Sequence, residues 1–210
     1  MERTILAISG GGFSEEDQAY IDEYLLKIPR KQGPLKIAFI ATASNDAQGY
    51  IDKFYKAFKN EQSSHLTIYD FDSPHIQEIV NDLDIVYVGG GNTQYMLEIW
   101  KKTGFDVVLR NAYQKGVILA GISAGAMCWF ETCFSEKNEE EFEEFEGLGL
   151  LKGSLCPHYN DKERRIAFDH WASTQKNSTL YTLLDNENLH FKNENILYWI
   201  MRIYTLKMKS

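Results

Sequence analysis

The sequence predicts an α/β fold built around a mostly parallel sheet, and three observations carry that expectation. Short apolar runs recur through the first 120 residues without the alternation of a half-exposed strand. Amphipathic helical stretches separate them, as expected for a sheet covered on both faces. Three of the runs end in small-residue turns, Gly10-Gly11-Gly12, Gly89-Gly90-Gly91 and Gly121-Ile122-Ser123-Ala124-Gly125. In parallel sheets ligands bind beyond the carboxyl ends of the strands, so the three turns should share one functional edge.

The elements follow in order. Thr4–Ser9 is a buried strand closed by three glycines. Ser14 opens a helix with Asp17 as a capping partner and Tyr20, Ile21, Tyr24 and Leu25 on its apolar face; Pro29 ends it. Lys36–Thr42 is the second strand, and a helix from Asp46 or Ala47 carries Tyr50, Ile51, Phe54, Tyr55 and Phe58 on one side. His65–Phe71 is a third strand, Pro74–Asn81 a short helix, and Ile85–Val88 a fourth strand. Two helices follow, one with Met96, Ile99 and Trp100 inside and one from about Asp106 to Gln114. Val117–Ala120 is the fifth strand, and Ala126–Glu131 should continue as a helix. Beyond it, the acidic stretch Glu139–Glu146 reads as a solvated loop or short helix. Leu148–Cys156 is a strand and Asp161–Ala172 a helix. Tyr181–Leu184, Leu189–Phe191 and Ile196–Tyr204 form short strands of an antiparallel C-terminal extension. Without repeats or a linker, residues 1–210 read as one domain.

Composition narrows the function. The chain is 44% hydrophobic and 13% aromatic, enough for a sizeable core, and its formal charge is −8. An acidic surface argues against a nucleic-acid partner, which needs a basic footprint. No apolar run approaches the ~18 residues of a membrane span. The three cysteines, Cys128, Cys133 and Cys156, lack metal-ligand spacing and suit a reduced, cytoplasmic protein.

Chemistry centres on Gly121-Ile122-Ser123-Ala124-Gly125. Strand, sharp turn and helix is the context that gives Gly-x-Ser-x-Gly its meaning, because the apex holds a hydroxyl out of the sheet edge. The pattern alone also fits a turn without chemistry. A serine needs a base, and the base needs an orienting group. Among His65, His75, His158, His170 and His190, only His158 follows the end of a strand where it could share the edge with Ser123. The N–H of Ala124 and the Gly89–Gly91 turn could supply donors to an oxyanion.

The three segments Val88-Gly89-Gly90-Gly91-Asn92-Thr93, Gly121-Ile122-Ser123-Ala124-Gly125-Ala126 and Cys156-Pro157-His158-Tyr159 resemble the peptidase E family of serine peptidases, the aspartyl dipeptidases and cyanophycinases. The resemblance spans Ile5 to about Phe191. It implies a three-layer sandwich of the flavodoxin-like, class I glutamine amidotransferase-like kind. It further implies Ser123 as nucleophile, His158 as base, the N–H groups of Gly91 and Ala124 as oxyanion hole, and Gly90, Asn92 and Thr93 around the substrate. The third triad member would lie between serine and histidine, where Glu136 is the best match; Glu131 and Asp185 are fallbacks. The implied substrate is a small peptide, a dipeptide with an N-terminal aspartate. Arg164 and Arg165 could pair with an aspartyl carboxylate or simply face solvent. No metal or organic cofactor is implied. The apolar C-terminus either completes the sheet or forms the face of a homodimer. Three alternatives stay open: an inactive binding protein that keeps the fold, a general esterase or amidase using the same serine, and a thiol enzyme using Cys128 or Cys133.

Overall fold

The computed structural model describes residues 1–15, 20–137, 141–176 and 178–201. Five strands form the parallel part of a seven-stranded sheet: β1 (Thr4–Ile8), β2 (Lys36–Ile40), β3 (Gln62–Leu66), β4 (Ile85–Val88) and β5 (Ile118–Ile122). With the C-terminal ribbon β10 (Glu187–Lys192) and β11 (Asn195–Met201), the order is β11-β10-β1-β5-β4-β2-β3. Both ribbon strands run antiparallel to their neighbours, with Thr4 opposite Lys192 and Ile8 opposite Asn188. The apolar C-terminus therefore completes the sheet through residue 201. A second, four-stranded sheet, β7-β6-β8-β9, comprises β6 (Phe130–Glu136), β7 (Phe142–Glu146), β8 (Leu151–Cys156) and β9 (Leu180–Thr182).

Each face of the main sheet has its own core. On one face, α1 (Tyr20–Lys27) and α2 (Gln48–Ala57) cover Leu6, Ile8, Ile37, Phe39 and Tyr87. Aromatic rings dominate this face: Phe39 stacks on Phe54 at 4.9 Å and meets Phe13 edge-on at 5.3 Å. On the other face, α3 (Ile76–Asn81), α4 (Thr93–Thr103), α5 (Phe105–Gln114) and the single turn α6 (Ala124–Met127) pack with residues of the second sheet around Trp100, Phe105, Trp129 and Phe130. A third, smaller cluster joins the second sheet to α7 (Lys162–Ala172), where Phe134 stacks on Trp171 at 4.9 Å.

The structure departs from the sequence reading at four places. The third strand is the polar stretch Gln62–Leu66, not His65–Phe71. An edge strand has one unpaired flank and needs no apolar run, so its period is weak. The helix after Ser123 stops at Met127, and Phe130–Glu136 turns back as a strand, with Leu148 N–H donating to Cys128 O. The acidic segment is a strand at Phe142–Glu146, opposite Thr132–Glu136, with Phe142 stacked on Phe134 at 5.7 Å; Glu139 lies outside the described residues. The strand expected at Tyr181–Leu184 is β9, which pairs parallel with β8 in the second sheet and takes no part in the antiparallel ribbon. Asp17, the expected capping partner, lies outside the described residues. Among the described residues no helix is long and apolar enough to cross a membrane.

Asp22 is the outlier of the first core. It is 8% exposed on α1, and its Oδ1 has no partner among the described residues. Burial pushes its carboxyl up to about 7. The native protein then binds a proton between about pH 4 and pH 7 that the unfolded chain releases, so stability falls as pH rises through that window. Asp22→Asn should stabilise the fold at pH 8 by up to ~4 kcal/mol and change little at pH 4, measured by urea unfolding at both pH values. On the same face, Phe39→Ala should lose ~3–5 kcal/mol in that assay, because its ring is fully buried among other rings.

Candidate active site

β5 runs into Ser123, and the next residue already belongs to α6. Ser123 has φ 55° and ψ −112°, a conformation that costs a non-glycine residue. Its own backbone bonds hold it there. The N–H donates to Ile8 O at 2.9 Å, and the carbonyl accepts from Ala126 and Met127 at 2.9 and 3.0 Å. The flanking glycines are required by backbone contact. A Cβ on Gly121 would lie 2.0 Å from Gly125 O, and one on Gly125 would lie 2.3 Å from Val88 O. The strand β4, the elbow and the start of α6 can cross this closely only without side chains.

His158 follows β8 and is also left-handed, with φ 54°. Its Nε2 lies 2.9 Å from Ser123 Oγ. Its Nδ1 bonds the carboxylate Oδ1 of Asp185. With Nδ1 donating to the carboxylate, Nε2 is free to accept the serine proton; this tautomer follows from the bonding pattern. Asp185 is itself held by a reciprocal pair. Asn160 Nδ2 donates to Asp185 Oδ2 at 2.6 Å, and Asp185 N–H donates to Asn160 Oδ1 at 2.9 Å. Gly10 leaves room for that carboxylate, since a Cβ there would lie 2.9 Å from Asp185 Oδ1.

Ser9, fully buried at the end of β1, ties these pieces together. Its hydroxyl accepts from His158 N–H at 2.7 Å and donates to Leu183 O at 3.1 Å. One oxygen thus fixes the backbone of the histidine and the strand that leads to Asp185.

The other sequence candidates sort by geometry. Glu136, expected behind His158, lies elsewhere: it ends β6, and its carboxylate receives Arg164 Nη2 at 2.5 and 2.6 Å. The carboxylate behind His158 is that of Asp185, the fallback that lies after the histidine in the chain. Glu131, the other fallback, accepts from Gly153 N–H at 3.0 Å. Gly90 sits against the serine, where an added Cβ would come within 3.2 Å of Ser123 Cβ, and its N–H donates to Tyr50 Oη at 3.3 Å. Gly91 has φ 137° and presses on Ala43, whose carbonyl oxygen would be 2.2 Å from a Cβ. The N–H groups of Gly91 and Ala124 have no acceptor among the described residues. Asn92 caps α4, accepting from Tyr95 N–H at 2.9 Å, and Thr93 is buried. Neither lines the cleft that opens beside His158.

That cleft has a volume of about 620 Å³. Asn160 and Asp185 form one wall, and Glu136, Phe142 and Arg164 another. The cysteines do not reach it: all three are buried free thiols, and burial pushes Cys133 and Cys156 up to about 12, far from a thiolate. His65 bonds Tyr55, His190 bonds Tyr24, and His75 and His170 face solvent. Among the described residues no group of three or more His, Cys, Asp or Glu side chains is arranged to hold a metal. Ser9, Asn160 and Tyr50 escaped the sequence reading. The first two carried a weak signal, since Ser9 precedes the first glycine turn and Asn160 follows His158 by two positions.

Hydroxyl, imidazole and carboxylate in a hydrogen-bonded line at a strained elbow are the arrangement of a serine hydrolase. The chain belongs to peptidase family S51, whose family model matches residues 5–198, and is therefore a serine peptidase. It is 40% identical over 198 residues to the uncharacterized peptidase YgaJ of Bacillus subtilis (strain 168), covering 92% of this chain and 85% of that one. It is 27% identical over 169 residues to a peptidase E of Nostoc sp. (strain PCC 7120), covering 77% of this chain and 67% of that one. A crystal structure of a peptidase from an acI-B1 Actinobacterium shares the fold, with a TM-score of 0.71 at 20% identity over 91% of this chain and 84% of that one.

Two substitutions test how the elbow and histidine are held. Gly125→Ala should unfold the protein or lower its melting temperature by many degrees, because the added methyl meets backbone. Ser9→Ala should cost ~1–3 kcal/mol in chemical unfolding, since it leaves the His158 N–H without its acceptor and takes one of two hydrogen bonds from the Leu183 carbonyl, which keeps that of Tyr159 N–H.

Proposed function

We propose that the protein hydrolyses small peptides through an acyl-enzyme on Ser123. The observation that carries this reading is the unbroken line Ser123 Oγ, His158 Nε2, His158 Nδ1 and Asp185 Oδ1. His158 takes the serine proton as Oγ attacks the peptide carbonyl, then returns it to the departing amine. In the second half it takes a proton from water, which hydrolyses the ester. Asp185 keeps Nδ1 protonated and steadies the imidazolium that forms. The developing oxyanion sits between the N–H groups of Ala124 and Gly91, one on each side of the serine. Tyr50 supports the second of these indirectly by fixing the neighbouring peptide of Gly90.

The size and position of the cleft favour a short peptide over an extended chain. Its volume of about 620 Å³ is in the range of a small-molecule pocket. An ester would be a substrate of the same machinery, so dipeptide against ester turnover separates the peptidase from the general esterase. An N-terminal aspartate, which the family resemblance implies, would need a cation; Lys162 and Arg164 line the cleft.

A fluorophosphonate should label the wild-type protein and fail to label Ser123→Ala, as read by intact-protein mass spectrometry. An unlabelled wild type would remove the nucleophile from this account. Asp185→Asn should lower kcat by ~10²–10⁴ on any dipeptide that the wild type cleaves, with KM little changed, because the misoriented imidazole fails only in the chemical steps.

A further inference from the structure

Two cations line the cleft, and they are held very differently. Lys162 is exposed at the first position of α7. Arg164 is the buried one, with 13% of its side chain exposed. Its backbone N–H is bound by the Asp161 cap at 2.8 Å, which anchors the residue in the first turn. Its guanidinium points to the end of β6, where Nη2 contacts both oxygens of Glu136 at 2.5 and 2.6 Å. Glu136 is fixed in turn by Ser135 Oγ at 2.8 Å. The remaining nitrogen, Nη1, is buried and has no partner among the described residues.

A half-buried ion pair with both carboxylate oxygens engaged does not dissociate as readily as an exposed one. The field of Arg164 is therefore cancelled at the point where it would act on a substrate. An arriving carboxylate would have to compete with a fixed one already in place, and would also meet that carboxylate's repulsion. We propose that Glu136 is a specificity-determining residue: by occupying Arg164 it withholds a buried cation from the substrate and turns the cleft away from acidic side chains. The inference rests on the proposed reading that substrate enters the cleft beside His158. It gives Glu136 a task at the site other than orienting the imidazole.

Glu136→Gln tests this with little change of shape. The amide keeps an acceptor for Arg164 but removes the cancelling charge, leaving the guanidinium net positive within the cleft. The test compares kcat/KM for Asp-Leu and Ala-Leu on wild type, Glu136→Gln, Arg164→Gln and the double variant. In parallel, the rate at which Ser123 is phosphonylated is compared for peptidyl phosphonates with carboxylate and methyl side chains. The acid-to-neutral ratio should rise about tenfold in Glu136→Gln, the effect of removing one close opposing charge at partial exposure. The double variant should return to the wild-type ratio, and Arg164→Gln alone, which leaves the Glu136 carboxylate uncompensated, should lower it.

An unchanged ratio in a folded Glu136→Gln would overturn the proposal. So would a double variant whose ratio falls well below that of wild type, which would mean that Arg164 binds acidic substrates despite Glu136. Thermal melting of each variant establishes folding; if Glu136→Gln does not fold, Glu136→Ala replaces it in the same comparisons. The phosphonate series needs only a reactive serine, so it still decides if neither dipeptide is cleaved. Failure of wild-type labelling, by contrast, would count against the nucleophile itself.

Discussion

The site depends on two sheets meeting at one buried oxygen. Ser9 Oγ belongs to the main sheet, accepts from the histidine backbone, and donates to the strand of the second sheet that leads to the acid. Ser123 comes from β5 of the main sheet, His158 follows β8 of the second sheet, and Asp185 lies where the chain passes from β9 back to β10. No single element carries two of the three groups. Their alignment is a property of how the sheets dock, and a buried hydroxyl satisfied on both sides is a stiff way to set that docking.

The same logic explains the glycines. At the carboxyl edge, β4, β5 and the elbow approach until carbonyl oxygens occupy the places where Cβ atoms would be. Gly89 belongs to the same squeeze from the core side, since a Cβ there would meet Phe39 and Tyr50 at 2.9 Å. Tyr50 thus touches both worlds. Its ring packs on Phe39 and Phe13 in the aromatic core, and its hydroxyl holds the Gly90 peptide beside Ser123. Packing deep in the first core is in this way passed directly to the edge where the serine sits.

Much of this was legible in the sequence. Buried parallel strands announce themselves as apolar runs, so β1, β2, β4 and β5 were found close to their ends. The serine elbow is legible because a sharp strand-to-helix turn needs small residues at fixed local spacing, and His158 because it follows the end of a strand. What was not legible is long-range. The strand β6 was hidden because the residues after Ser123 favour a helix locally, and only contacts with Leu148 and Leu151 turn them back. Asp185 ranks below Glu136 in the sequence because the family resemblance places the acid between serine and histidine, whereas the carboxylate that meets the imidazole follows the histidine in the chain. Glu136 and Asp185 are both acids within reach of the cleft; the difference is that one has Arg164 beside it and the other has His158.

The pairing of β1 with β10 has a consequence for how the protein comes into being. Thr4 pairs with Lys192 and Ile8 with Asn188, so β1 is flanked on one side by a strand that follows the whole second sheet in the chain. Contacts this distant in sequence close late, and they slow folding. During synthesis Ser123 is made well before Asp185 and β10, so its segment exists before the acid and one flank of β1 are available. The hydrogen-bonded line from Ser123 to Asp185 can therefore be joined only after the second sheet has been made.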